Sequence, residues 1–182
     1  MTHVRTLTSA LLLAVCIAAL PLRPAFALAT IFSVGQSPLY SPQAISAGGF
    51  RAQVFGAPSS SASTDETLAL LSAPGNFGNG PLKAMDPASR EGGRLVFIFN
   101  GSSAPSETAC TAPESLGGKA AEGNLHVIAV YCLGNRWLAR GALSGIEVSG
   151  PQDPAYVQAM QNLLTTMLPM KSPDMPNGTN GQ

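Results

Sequence analysis

The residues able to do chemistry in this chain are few. Cys110 and Cys132 are 22 positions apart, Arg136 and Arg140 lie two strand steps apart, and His126 is the one histidine beyond the first 29 residues. For His126 to act as a base for Ser102 or Ser103, an acid such as Asp86 or Glu107 would have to position it. Its place at the start of an apolar strand instead reads as a structural histidine. The two arginines form a possible anion-binding pair, with Arg51 as a third candidate. No catalytic residue is assigned. G-x-S-x-G and G-x-x-x-x-G-K-[ST] are both absent, which leaves neither a hydrolase elbow nor a phosphate loop. The ten acidic residues are spread too evenly to single out an acid/base dyad.

No cofactor or metal is expected. C-x-x-C is missing, and no Cys/His cluster has zinc spacing. Met160, Met167, Met170 and Met175 offer soft thioethers for copper(I), but the first two fall on an apolar helical stripe and read as core. Asn100-Gly-Ser102 and Asn177-Gly-Thr179 match the glycosylation pattern, which is too common to carry an argument.

The first 29 residues explain what the cysteines do. Met1 to Ser9 holds Arg5 and no acid, Ala10 to Leu20 is an eleven-residue apolar block, and Ala27-Leu28-Ala29 supplies small residues at Ala27 and Ala29. A positive segment, a short apolar segment and an A-x-A site describe a secretory signal peptide cleaved after Ala29. The block is about half the roughly 20 residues needed to span a bilayer, so no membrane span is expected after cleavage. A lipid anchor at Cys16 is disfavoured by Val15 before it. The exported part would carry a formal charge of −2, having lost Arg5 and Arg23, and an even cysteine pair. Export makes a Cys110–Cys132 disulfide the expected pairing, and a periplasmic or secreted location follows.

The elements that must position these residues are legible in outline. Phe50–Gly56 alternates as a strand, with Phe50, Ala52 and Val54 opposite Arg51 and Gln53. Ser63-Thr64-Asp65-Glu66 opens a helix with a capping box, and Leu68, Leu71 and Leu70 form its stripe. Pro74–Gly93 holds five glycines and three prolines and reads as a long loop. Leu95–Phe99 is apolar on both faces, as in a central strand. Ser106–Thr111 has room for one helical turn. Leu125–Leu133 and Arg136–Leu143 flank Gly134-Asn135 as a hairpin. That register sets Cys132 opposite Trp137, Tyr131 opposite Leu138 and Ala129 opposite Arg140, with both Arg136 and Arg140 on the face away from the indole. Asp153 and Pro154 start a last helix, whose apolar stripe runs to Met167.

The expected architecture is a single layered α+β domain over residues 30–168, between the 1–29 signal peptide and a disordered tail at 169–182. It has a mixed sheet of about four strands, the order β-α-β-β-β-α and one disulfide. The staple favours Leu95–Phe99 and Leu125–Leu133 running parallel. The element order resembles a thioredoxin-like fold without its C-x-x-C. The run LVFIFNGSS, then Cys110, then HVIAVYCLGNRWLARGAL, resembles small uncharacterised exported proteins of Proteobacteria. In those proteins an apolar strand ending in Asn precedes a cysteine and a Y/F-C-x-G-x-R hairpin. The resemblance implies export and brings no catalytic residue.

Neutral net charge over the whole chain and 6% aromatic content argue against a nucleic-acid partner. The leading expectation is a non-enzymatic exported domain that acts through a protein or envelope component. The alternative is a binder of small molecules or anions, followed by a hydrolase using His126.

Overall fold

A computed structural model describes residues 30–101, 105–119 and 124–171. The expected signal segment with Ala27 and Ala29, Ser102 and Ser103, and residues 172–182 lie outside the described residues.

Six strands form one mixed sheet: β1 (Thr30–Gln36), β2 (Arg51–Phe55), β3 (Lys83–Ala84), β4 (Gly93–Phe99), β5 (Asn124–Leu133) and β6 (Arg136–Glu147). Their spatial order is β1-β6-β5-β4-β2-β3. The β2–β3 and β2–β4 pairs are parallel, and the other three are antiparallel. Among the described residues there are also four α-helices: α1 (Pro42–Gly48), α2 (Thr64–Leu68), α3 (Ser106–Thr111) and α4 (Pro154–Met167).

Helices cover both faces of the sheet. α1, α2 and α4 bury Ile45, Leu68, Tyr156, Met160, Leu163 and Leu164 against Phe97, Phe99, Tyr131 and Leu143. α3 and the turn after it pack Ala109, Cys110 and Leu116 on Val96, Ile98, Val130 and Ala142. All seven residues of β4 are buried because it lies between these two layers. Its apolar run Leu95–Phe99 has no polar face to offer solvent.

Local chemistry sets the helix ends. Ser63 and Glu66 close a reciprocal capping box on α2. Asp153 caps α4, with Pro154 at its first position. The last carbonyls of α4 are taken up by distant side chains: Gln36 donates to Met167 at 3.2 Å, Asn76 to Leu168 at 3.1 Å, and the Tyr40 hydroxyl to Pro169. Order therefore continues past residue 168 to the end of the described chain at 171.

Several expectations need correction. The sheet has six strands where about four were expected, because β1, α1 and the two-residue β3 were not anticipated. Gln53 is fully buried on the α3 side and not turned to water. Leu70 is exposed, since α2 ends at Leu68. The Pro74–Gly93 stretch is structured, with a 3-10 turn at Gly75–Phe77, a bridge between Ser72 and Pro81, and β3. β4 and β5 run antiparallel: α3 lies across the sheet and brings the chain back, so that Cys110 reaches Cys132 at the β4 start.

The hairpin register also shifts. Cys132 does face Trp137, but Tyr131 pairs with Ala139, Val130 with Arg140 and Ala129 with Gly141. Leu138 is the extra residue of a β-bulge, and the residues from Ala139 to Ser144 move to the other face, until a second bulge at Gly145 shifts the register again.

Candidate functional site

The disulfide and its surroundings form the best-built polar region. Cys110 on α3 and Cys132 on β5 are bonded, with Cα atoms 5.6 Å apart, and both are fully buried. Arg94 on β4 pairs with Cys132 in the ladder, and its guanidinium is also fully buried. Nε donates to Gln53 Oε1 at 3.0 Å, Nη1 to the carbonyls of Arg90 at 3.1 Å and Gly134 at 2.8 Å, and Nη2 to that of Cys110 at 2.6 Å. Gln53 turns its amide the other way, to the carbonyls of Asp86 and Ser89, both at 2.7 Å. One cation thus ties β2, the loop before β4, the hairpin turn and α3 to a single point. Burial, with the Arg90 charge beside it, lowers its pKa from the ordinary guanidinium value. The apolar pattern of this strand begins at Leu95 and leaves out Arg94. The available signal was a lone arginine at the head of an otherwise apolar central run.

A second feature lies at the hairpin tip, where the turn after β1 meets α3. Pro38, Leu39, Glu107, Asn135, Arg136 and Trp137 line an open groove of about 430 Å³. Leu39 is 54% exposed, while Trp137 is half-buried and donates from its indole to Glu107 Oε1 at 2.7 Å. Arg136 is exposed, and no described residue hydrogen-bonds or ion-pairs with its guanidinium. This fixes Glu107 near Trp137, six residues along β5 from His126, or roughly 20 Å at strand rise. Glu107 therefore does not position His126. Asp86 is occupied as well, accepting from the Ala88 amide at 2.8 Å.

The bulge separates the two arginines proposed as an anion pair. Arg136 pairs with Leu133 and Arg140 with Val130, and those partners, three apart on one strand, face opposite sides of the sheet. Arg140 therefore joins Trp137 on the α3 face, while Arg136 belongs to the hairpin tip. Arg51 lies far across the sheet, on β2.

A cleft of about 440 Å³ opens where α2 and α4 begin, lined by Ser59, Ser61, Glu66, Ser149 and Asp153 among others. Its two carboxylates are already engaged. Hydrogen bonds from the Ser63 amide and then its hydroxyl hold Glu66 below the usual carboxylate range, and the Ser149 and Ala155 amides do the same for Asp153. Met160 and Met167 are buried core residues of α4, Met170 is exposed, and Met175 and Asn177 lie outside the described residues. Asn100 is engaged at both ends of its amide: Nδ2 donates to the Ala57 carbonyl at 3.0 Å, and Oδ1 accepts from the His126 amide at 3.3 Å. Among the described residues no three His, Cys, Asp or Glu side chains group as metal ligands, and no helix is long and apolar enough to cross a membrane. No protein-family model, curated protein or solved structure matches this chain, so neither the exported-protein likeness nor the thioredoxin-like element order gains support from relatives.

Proposed function

We propose that this chain is an exported, disulfide-stapled domain without catalytic activity, which works by binding a protein segment at the hairpin-tip groove. The buried Cys110–Cys132 bond suits an oxidising compartment, and with the leader pattern it supports a periplasmic or secreted location. The fully buried polar side chains serve the fold. Arg94, Gln53, Tyr131 and Tyr156 are each matched to carbonyl or amide partners.

The observation that carries the binding reading is the juxtaposition of Leu39, Trp137 and Arg136. A large exposed aliphatic side chain and an indole wall share one groove, with a cation that no described residue neutralises. Glu107 lines the same groove and keeps its charge, but it is hydrogen-bonded by the indole and makes no ion pair with Arg136. The unpaired guanidinium suits an extended segment presenting an apolar side chain beside a carboxylate, the apolar group on Leu39 and Trp137 and the acid on Arg136.

Trp137 is the only tryptophan in the chain, so intrinsic fluorescence reads this groove directly. Titration with short peptides carrying Leu-Asp or Phe-Glu should give a saturable spectral shift at submillimolar concentration. Leu39→Asp should abolish it, and Arg136→Glu should switch the preference to Leu-Lys peptides. Absence of a saturable shift for every acidic–apolar peptide up to millimolar concentration would reject the reading.

A further inference from the structure

Two arginines stand on the α3 face of the sheet, and they are treated differently. Every nitrogen of Arg94 finds a neutral acceptor, so its charge is absorbed by the fold. Arg140, on β6, has its Nε withdrawn from water with no acceptor among the described residues, and none of them bonds to or ion-pairs with the rest of its guanidinium. Buried donors are nearly always satisfied, and an orphan on a charged group is the costly kind.

The surroundings leave room for what is missing. Across the ladder, Arg140 pairs with Val130 on one side and with Gly35 of the edge strand β1 on the other. A Cβ built on Gly35 would meet nothing within 4 Å, so the flank beside the guanidinium is open. Trp137 lies on the same face, one step beyond the bulge, and hydrogen-bonds Glu107, and among the described residues no ion pair joins that carboxylate to Arg140.

We propose that Arg140 is an oxyanion-binding site, taking a carboxylate or phosphate whose two oxygens bridge Nε and a neighbouring Nη. A guanidinium presents its donors as a planar fork that matches such a pair of oxygens. Turning the Nε edge toward the β1 side brings it to the open flank over Gly35, where no side chain obstructs an incoming ion. The site is separate from the partner groove: Arg136 and Leu39 take no part in it.

The test is the Arg140 Nε–Hε resonance of the full exported chain. It is followed at fixed ionic strength while sodium chloride is replaced by inorganic phosphate in one series and by succinate in another. A saturable shift with either anion is the expected result. Phosphate alone would mark a phosphate-bearing ligand, and succinate alone a carboxylate. Arg140→Lys should weaken the effect about tenfold, as a point charge replaces a fork, whereas Arg136→Gln should leave it intact. If neither anion moves the resonance beyond the chloride control, the proposal is overturned. That result would come from the unmutated protein, and it would not touch the peptide titration at Trp137.

Discussion

Replacing Arg94 is the sharpest test of how this fold holds together. Arg94→Met keeps most of the aliphatic volume and removes the donors to Gln53, Arg90, Gly134 and Cys110 at once. Hydrogen bonds from a charged group contribute about 1.5–3 kcal/mol each. Four of them would total about 6–12 kcal/mol, were it not for the several kcal/mol spent on desolvating the guanidinium. The net loss should be about 4 kcal/mol, the difference between these two terms, because removing the cation leaves four neutral acceptors without a donor and no countercharge. That is a large part of the about 5–15 kcal/mol that an ordinary domain has in total. Arg94→Lys should lose nearly as much, because a single ammonium cannot reach four acceptors that lie around a planar fork. The assay is urea unfolding with the disulfide intact, followed by Trp137 fluorescence and far-ultraviolet circular dichroism. A loss below about 1 kcal/mol for Arg94→Met, with an unchanged denaturant slope, would show that the four carbonyl and amide groups are satisfied without the arginine.

Three further outcomes follow from the same structure. Replacing both Cys110 and Cys132 by alanine should cost about 3 kcal/mol, the chain-entropy value for a 22-residue separation, and the loss should grow in the Arg94→Met background because both devices clamp α3. The Asp153 carboxyl is held below its usual range by the Ser149 and Ala155 amides, so its contribution is present above about pH 4 and is lost as pH falls through the lower folded value. Thermal midpoints measured between about pH 5 and pH 2 should therefore fall less steeply in Asp153→Asn than in the native chain. At Gly118, an added Cβ would sit 1.7 Å from the Asn100 carbonyl oxygen, so Gly118→Ala must push apart two backbone segments and should cost about 3 kcal/mol by chemical denaturation.

The legible parts of the fold were those whose signals are local. Ser63 and Glu66 marked α2, Asp153 and Pro154 marked α4, Gly134-Asn135 marked the hairpin, and Leu95–Phe99 read as a strand covered on both faces; each is found. Cys110–Cys132 could be paired because the expected loss of Cys16 with the leader leaves one connectivity, and the two are bonded. What escaped depends on tertiary context. β1 carries Ser33 and Gly35, which break the alternation that would announce a strand, and it gains its place by pairing with β6. α1 has a good start in Ser41 and Pro42 but only Ile45 as a fully buried apolar residue, too little periodicity to stand out. Arg94 and Gln53 read as polar positions, because only the assembled loops show that carbonyls converge on them.

The bulge at Leu138 shows why a site can fail to be legible even when its residues are all identified. Arg136, Trp137 and Arg140 were each singled out, yet regular alternation gave them the wrong company. One inserted residue in β6 leaves Trp137 opposite Cys132 and moves Arg140 to the same face as the indole, while Arg136 stays at the tip. A paired-cation reading then dissolves into two single-cation features with different neighbours, one beside Leu39 and one beside Gly35. Tyr131 explains why the slip is held. Its hydroxyl donates to the Ile45 and Gly49 carbonyls at 3.0 and 2.9 Å, which fixes its ring on the α1 side and requires a small residue, Ala139, opposite it. A straight ladder with Leu138 kept in register would set Arg140 opposite Ala129 on the α4 side, in the place of Gly141, which Leu163 and Met167 already crowd. The packing of α4 against β6 thus selects the bulged register, and the register in turn decides which chemistry each arginine meets.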